Sequence, residues 1–218
     1  MLAHTGRVRS VNLAFPSAKE PWTGGDGKTG IDKREVPGRI KLERNAVVGD
    51  FIGDKKNHGG YDQAVYAYAY EDLQWWESEL GMAISNGRFG ENLTTQGVDV
   101  TQAVIGERWN IGTAVLEVSQ PRIPCRTFAG FWDRPNLIKE FTDAGRPGAY
   151  LRIIREGEIE SSDEIALSDR PPHGITIADL FAAKRGERSR MSEILLVTQL
   201  SDSYREWATN ISRSNGEN

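Results

Sequence analysis

The stretch ERWNIGTAVLEVSQPRIPC, residues 107–125, reads in three phases. ERWNI (107–111) and TAVLEVS (113–119) are short runs with β-branched and aromatic residues, joined at Gly112. That is the pattern of two strands meeting at a tight turn. The third phase, QPRIPC, holds the only cysteine in 218 residues. Pro121 and Pro124 fix φ and remove two backbone donors, so the segment after the strand is stiff. Arg122 and Arg126 flank Cys125 with positive charge, which favours the thiolate, the nucleophilic and metal-binding form of the side chain. A lone cysteine is also commonly a small buried hydrophobe, and both readings are open at this level.

The same short-strand texture extends outward. GRVRSVNLAF (6–15), Ile31–Val36, GRIKLER (38–44), QAVYAYAY (63–70), GAYLRIIREGEI (148–159) and DEIALSD (163–169) read as strands or strand-turns. Two helical segments interrupt them. EDLQWWESELG (71–81) shows an apolar face at Leu73, Trp76 and Leu80 and closes on Gly81, and NLIKEFTDA (136–144) closes on Gly145. The body is therefore expected to be mainly β, a closed or half-closed β-barrel with a few short helices.

The texture changes at Arg170-Pro171-Pro172. Three helical segments follow, at about 176–185, 189–200 and 202–211, with Thr176 and Ser201 as caps. The expected division is a barrel over 1–170 and a small C-terminal three-helix segment over 171–218. So short a piece is marginal alone and is expected to dock on the body or on another subunit. The end, RSNGEN, is expected to fray.

Composition narrows the function classes. Charged residues make up 27% and the net charge is −4, which disfavours a general nucleic-acid or acidic-membrane binder. One cysteine forms no internal disulfide, in keeping with a reducing compartment. The start, MLAHTGRVRSVNLAF, lacks the apolar core of a signal peptide, and no apolar run approaches the roughly 20 residues that span a bilayer. A cytoplasmic location is expected.

Three other stretches contain chemistry-bearing residues. DKKNHGGYDQAV (54–65) places His58 before two glycines and after Lys55 and Lys56, as a backbone cradle for an anion or as a plain hairpin turn. GRFGENL (87–93) offers Arg88 for an anion, Phe89 for stacking on a flat ring and Asn92 for a heterocycle edge; its bland reading is a loop with an Arg88–Glu91 ion pair. GGDGKTGIDK (24–33) is not a phosphate-binding P-loop: the glycine spacing is wrong and a strand, not a helix, follows. Thr29 and Lys33 remain candidate anion contacts there. His4, His58 and His173 have no paired spacing, so no zinc pattern exists. A Cys125–His58 nucleophilic dyad is conceivable, with no third orienting group placed by the sequence.

NHGGYDQAV, GRFGENL and QPRIPC, in this order, resemble the signature segments of MOSC domains, the family named for the C-terminal domain of molybdenum cofactor sulfurases. The similarity runs from about Val8 to Ile159, and the tail resembles the three-helix segment of small stand-alone bacterial members. The resemblance implies a β-barrel, a molybdenum–pterin cofactor (Mo-molybdopterin) and reduction of N-hydroxylated compounds such as hydroxylaminopurines and hydroxylamines. It implies that Cys125 is the molybdenum ligand, and that Lys56, His58, Arg88, Phe89, Asn92 and Arg122 contact the cofactor. Thr29 and Lys33 match a T-x-I-x-K pattern of the same family. Asp62 and Glu91 fall inside the motifs, with a structural role open to them. His58 is the candidate proton source.

The reduction implies a small-molecule N-hydroxylated substrate and an electron-donor protein carrying flavin or iron–sulfur groups. The tail, with Lys184, Arg185, Arg188 and Arg190, is read as a surface for that donor or as a homodimer contact or lid. Two other readings stand beside the reductase: a sulfur or cofactor carrier without turnover, and a metal-free binding protein on the same barrel.

Overall fold

The computed structural model describes residues 5–15, 20–23 and 27–216. Among these, the strands are β1 (Thr5–Ala14), β2 (Lys33–Glu35), β3 (Ile40–Glu43), β4 (Ala46–Val47), β5 (Val65–Ala69), β6 (Leu93–Gln96), β7 (Arg108–Ile111), β8 (Ala114–Pro121), β9 (Ala149–Arg155), β10 (Gly157–Ile159) and β11 (Glu164–Ser168). The helices are α1 (Tyr70–Leu80), α2 (Arg126–Phe131), α3 (Leu137–Ala144), α4 (Ile177–Lys184), α5 (Met191–Leu195) and α6 (Asp202–Gly216).

Seven strands close into a barrel in the order β11-β7-β8-β9-β5-β6-β1, with β1 pairing back onto β11. Closure leaves the barrel no open sheet edge. β2 adds to the far end of β1, and β10, β3 and β4 form a separate small sheet. Within the barrel β5 and β6 run parallel and the other pairs antiparallel.

The period of two in β5 creates two cores. Val65, Ala67 and Ala69 face the barrel interior with Val8, Leu93, Leu116 and Leu151. Tyr66 and Tyr68 face outward, into an aromatic layer with Trp76, Phe89, Phe128, Phe141 and Phe181. All five residues of β5 are buried, because α1, α2 and α3 cover the side that a simple meander would leave wet.

The C-terminal helices pack on the barrel. Ile194, Val197, Leu200, Tyr204 and Ala208 share one apolar cluster with Ile105, Ile111 and Leu116. Residues 175–178 also bond back to 101–105: Ile105 N–H donates to Ile175 O (2.9 Å) and Ile177 N–H to Ala103 O (3.0 Å). Thr176 caps α4 with a capping box, its Oγ1 accepting from Asp179 N–H at 3.2 Å.

Besides the short β4, which the sequence reading left unassigned, four elements differ from that reading. β6 lies in LTTQ, whose polar run hides a strand fully enclosed between β1 and β5. α2, directly after the cysteine, is only six residues long and shows no helical period. The helix expected over 189–200 stops at Leu195, since ILLV cannot lie on one helix face; Leu196 is 80% exposed while Val197 and Leu200 turn onto the barrel. α6 runs on to Gly216, past the point where fraying was expected to start, and residues 217–218 lie outside the described residues.

Candidate active site

The cavity forms where β8 leaves the sheet. Pro121 is the last residue of the strand, Arg122 turns inward, and Cys125 takes the extended N-cap position of α2 (φ −126°, ψ 169°). Across from it, the 54–60 loop closes on Gly59 and Gly60, both at φ +82°. Those left-handed conformations favour glycine, and a Cβ on Gly59 would come within 2.7 Å of Ile52 Cδ1. The loop places His58 against the sulfur, with His58 Nδ1 3.9 Å from Asp54 Oδ2.

Burial opposes ionisation of Cys125, but the neighbouring His58 imidazole, the Arg122 cation and the Phe128 backbone N–H outweigh it. They bring the thiol to about 6. Arg122 is 4% exposed. Its Nη1 donates to Phe89 O, and the guanidinium lies 5.0 Å from the Tyr66 ring centroid and 4.7 Å from that of Phe128. Burial works against its charge, while the Tyr66 and Tyr150 phenols and the Cys125 sulfur hold its pKa above the ordinary value. Among the described residues no carboxylate forms an ion pair with it.

A buried network builds the adjoining wall. Lys33 Nζ donates to Asp50 Oδ1 at 2.6 Å, and Asn92 Nδ2 donates to Asp50 Oδ2 at 2.9 Å. Asn92 Oδ1 accepts from Tyr66 N–H at 3.2 Å. Burial depresses the pKa of Lys33, with Asp50 opposing that shift. Thr29 is buried in the same wall, its Oγ1 accepting from Ile31 N–H at 3.2 Å. The 28–31 and 51–53 segments cross backbone to backbone. A Cβ on Gly30 would lie 1.9 Å from Phe51 O, and one on Gly53 would lie 2.1 Å from Lys28 O.

The cavity, about 110 Å³, thus brings together Thr29, Lys33, His58, Asn92, Arg122 and Cys125. Three other expected contacts are absent from its lining. Phe89 is fully buried at the centre of the aromatic layer, stacked on Tyr68 at 4.9 Å and close to Phe128 and Trp132, so no ligand ring can stack on it. Arg88 lies over the Phe131 and Trp132 rings at 4.0 and 5.0 Å. Lys56 is exposed on the 54–60 loop. Glu91 does not pair with Arg88; it is fully buried and accepts from Gly87 N–H (2.6 Å), Phe89 N–H (3.0 Å) and Thr94 Oγ1 (2.9 Å), holding the GRFGENL loop in shape. Gly24, Gly25 and Asp26 of the 24–33 stretch lie outside the described residues, as does His4.

The sequence reading missed Asp54, Gln63, Tyr66 and Tyr150, which also line the cavity. Tyr66 and Tyr150 are register partners on β5 and β9, with ring centroids 5.2 Å apart; alternation within each strand could have placed each opposite its core face, but not beside the other. Asp54 carried a weaker signal, its four-residue spacing from His58.

The MOSC domain family model matches residues 54–166, which contain His58, Arg122 and Cys125. The chain belongs to the MOSC domain family. This MOSC chain is 35% identical over 170 residues to the uncharacterized protein YflK of Bacillus subtilis (strain 168), covering 78% of this chain and 76% of YflK. The crystal structure of YiiM from Geobacillus stearothermophilus superposes with a TM-score of 0.79 at 30% identity, covering 94% of this MOSC chain and 98% of YiiM. A Gibberella moniliformis protein named "Reductase" is 28% identical over 181 residues, 81% of this chain but 32% of the fungal protein.

Proposed function

We propose that this chain is a molybdenum-cofactor-dependent oxidoreductase that reduces N-hydroxylated compounds, hydroxylamines and hydroxylaminopurine-type bases, to amines, with Cys125 as the protein ligand of the metal. The observation that carries this reading is Arg122, a buried cation with no carboxylate partner among the described residues, beside a thiol held at about 6. A buried charge is costly unless an opposite charge completes it. The Cys125 thiolate offsets part of it, and an anionic metal–dithiolene group would supply the rest.

The donor set supports the same group. Among the described residues no three His, Cys, Asp or Glu side chains converge on one point. One thiolate alone suits a soft metal that brings its remaining sulfur ligands with it. Gln63 lines the cavity, and its Oε1 is buried with no hydrogen-bond partner among the described residues, an acceptor for an N–H of a heterocycle. The fungal relative named as a reductase supports the oxidoreductase class.

A molybdenum centre bound at Cys125 would supply the two-electron, oxygen-removing chemistry, for the net change R–NHOH + 2 e⁻ + 2 H⁺ → R–NH2 + H2O. The chain's own residues do the rest. Pro124 and the α2 N-cap hold the sulfur in one direction. Arg122 offsets negative charge beside it. His58, set between Asp54 and Cys125 and partly open to solvent, holds and passes protons at the cavity mouth. Ile31, Phe51 and Ile52 form an apolar side that limits water. The electrons come from a partner protein with a flavin or iron–sulfur group.

The test is protein made in a host that assembles the cofactor. The expected result is about one molybdenum and one pterin per chain, with turnover of a hydroxylamine by reduced dye. Cys125→Ser should lose the metal and keep the fold. Full metal without turnover would favour a carrier, and a folded Cys125→Ser variant with full metal and full rate would overturn the assignment.

A further inference from the structure

Arg152, on β9, lies two residues from Tyr150 and on the same outer face of the barrel. It is 5% exposed and joins three parts of the chain. Nε donates to Asp62 Oδ1 at 2.6 Å, Nη1 to Glu117 Oε1 at 2.8 Å, and Nη2 to the Gln199 carbonyl at 2.9 Å. Asp62 belongs to the 3₁₀ turn Tyr61–Gln63, which leads directly out of the His58-Gly59-Gly60 loop. Glu117 sits opposite Arg152 in the β8–β9 register, on the strand that leads to Cys125. Gln199 lies between α5 and α6, in the C-terminal segment.

Two of the turn's three residues contact Arg152, and the third faces the cavity. Tyr61 lies over the guanidinium at 5.6 Å, Asp62 accepts from it, and Gln63 lines the cavity. The Asp62 carbonyl also accepts from Ser119 Oγ, whose β8 position is two residues beyond Glu117. The turn buries no side chain fully and has no side-chain cap at its start. The Arg152 guanidinium and Ser119 Oγ are thus the two side-chain groups that hydrogen-bond Asp62, and the guanidinium is the one that holds its carboxylate.

We infer that Arg152 is a positioning residue for the cavity: by clamping Asp62 between the barrel and the C-terminal segment, it fixes the loop that brings His58 to Cys125. This rests on the reading of the cavity as the functional site, but its test needs no cofactor. In the three-armed arrangement the C-terminal helices contribute through the Gln199 carbonyl without lining the cavity themselves. A planar fork suits such a role, and a lysine ammonium, a compact point charge, lacks that fixed spread of donors.

The test cuts one arm. Asp62→Ala in the full cofactor-free chain is measured by hydrogen exchange at the amides of His58 and Gln63, which donate to Asp54 O and Gly60 O. The rate of Cys125 alkylation by iodoacetamide is measured in the same samples. The expected result is exchange faster by about tenfold at those two amides, with the amides of β7 and β11 unchanged, and an alkylation rate altered several-fold. Asp62→Asn, which keeps an acceptor for Nε, should restore most of both. If Asp62→Ala does not fold, Asp62→Ser, too short to reach Nε, gives the same comparison. Wild-type exchange and alkylation in the alanine or serine variant would overturn the inference, as would a uniform rise across the barrel, which signals only general destabilisation. Failure of molybdenum to bind the wild-type chain would defeat the proposed function and leave these readings untouched.

Discussion

Lys33 Nζ sits 2.6 Å from Asp50 Oδ1 and 2.5 Å from Asp50 Oδ2, with 7% and 9% of the two side chains exposed. The pair ties β2 to the 48–54 segment, and Ala14 N–H and Asn92 Nδ2 complete the coordination of the carboxylate. Lys33→Met leaves a buried carboxylate without its cation and is expected to cost about 3–5 kcal/mol in urea unfolding. The double variant Lys33→Met, Asp50→Leu should recover part of that, though not all, because Ala14 N–H and the Asn92 amide lose their acceptor. A single variant as stable as wild type would show that the ion pair is not structural.

Phe89 is predicted to act on stability. It contacts Tyr68, Trp76, Phe128, Trp132 and Phe141 at the centre of the outer core. Phe89→Ala should destabilise the chain by about 3–5 kcal/mol. Phe89→Leu should cost much less, and the two together separate packing from any role at the cavity.

The alkylation rate of Cys125 should rise with pH around a midpoint near 6. His58 and Arg122 lower the thiol pKa against the opposing effect of burial, so His58→Ala should move the midpoint upward. Rates with iodoacetamide from pH 5 to 9 check this. An unmoved midpoint would remove His58 from the environment of the sulfur.

Glu91 should make stability fall as pH rises from 4.5 to 7. Burial lifts its carboxyl to about 7 in the folded chain, against the hydrogen bonds it accepts from Gly87, Phe89 and Thr94. The folded state therefore holds this proton more tightly than the unfolded state. Its contribution is fully present below pH 4.5, is lost as pH rises through 7, and amounts to on the order of 3 kcal/mol. Thermal melts of wild type and Glu91→Gln across pH 5 to 8 should differ in slope, with the glutamine variant flatter. Parallel slopes would place the carboxyl in its ordinary range.

Some of this molecule is legible in the chain itself. Alternation and glycine spacing report local backbone preference, so β1, β3, β5, β7, β8, β9 and β11, the helices α1 and α3, and the Thr176 cap could be read before any contact was known. The stiff, cationic surroundings of Cys125 are likewise local, since proline and arginine act on their near neighbours.

Burial is not local, and the tertiary structure decided what depends on it. LTTQ became β6 because β1 and β5 enclose it, and Phe89, an open stacking ring in its motif, became the centre of an aromatic core once α1, α2 and α3 covered β5. Lys33 and Asn92 read as free ligand contacts until Asp50 met both of them. Hydrogen-bond satisfaction and desolvation belong to side chains brought together from distant positions, and no spacing along the chain encodes which of them will be paired when the barrel closes.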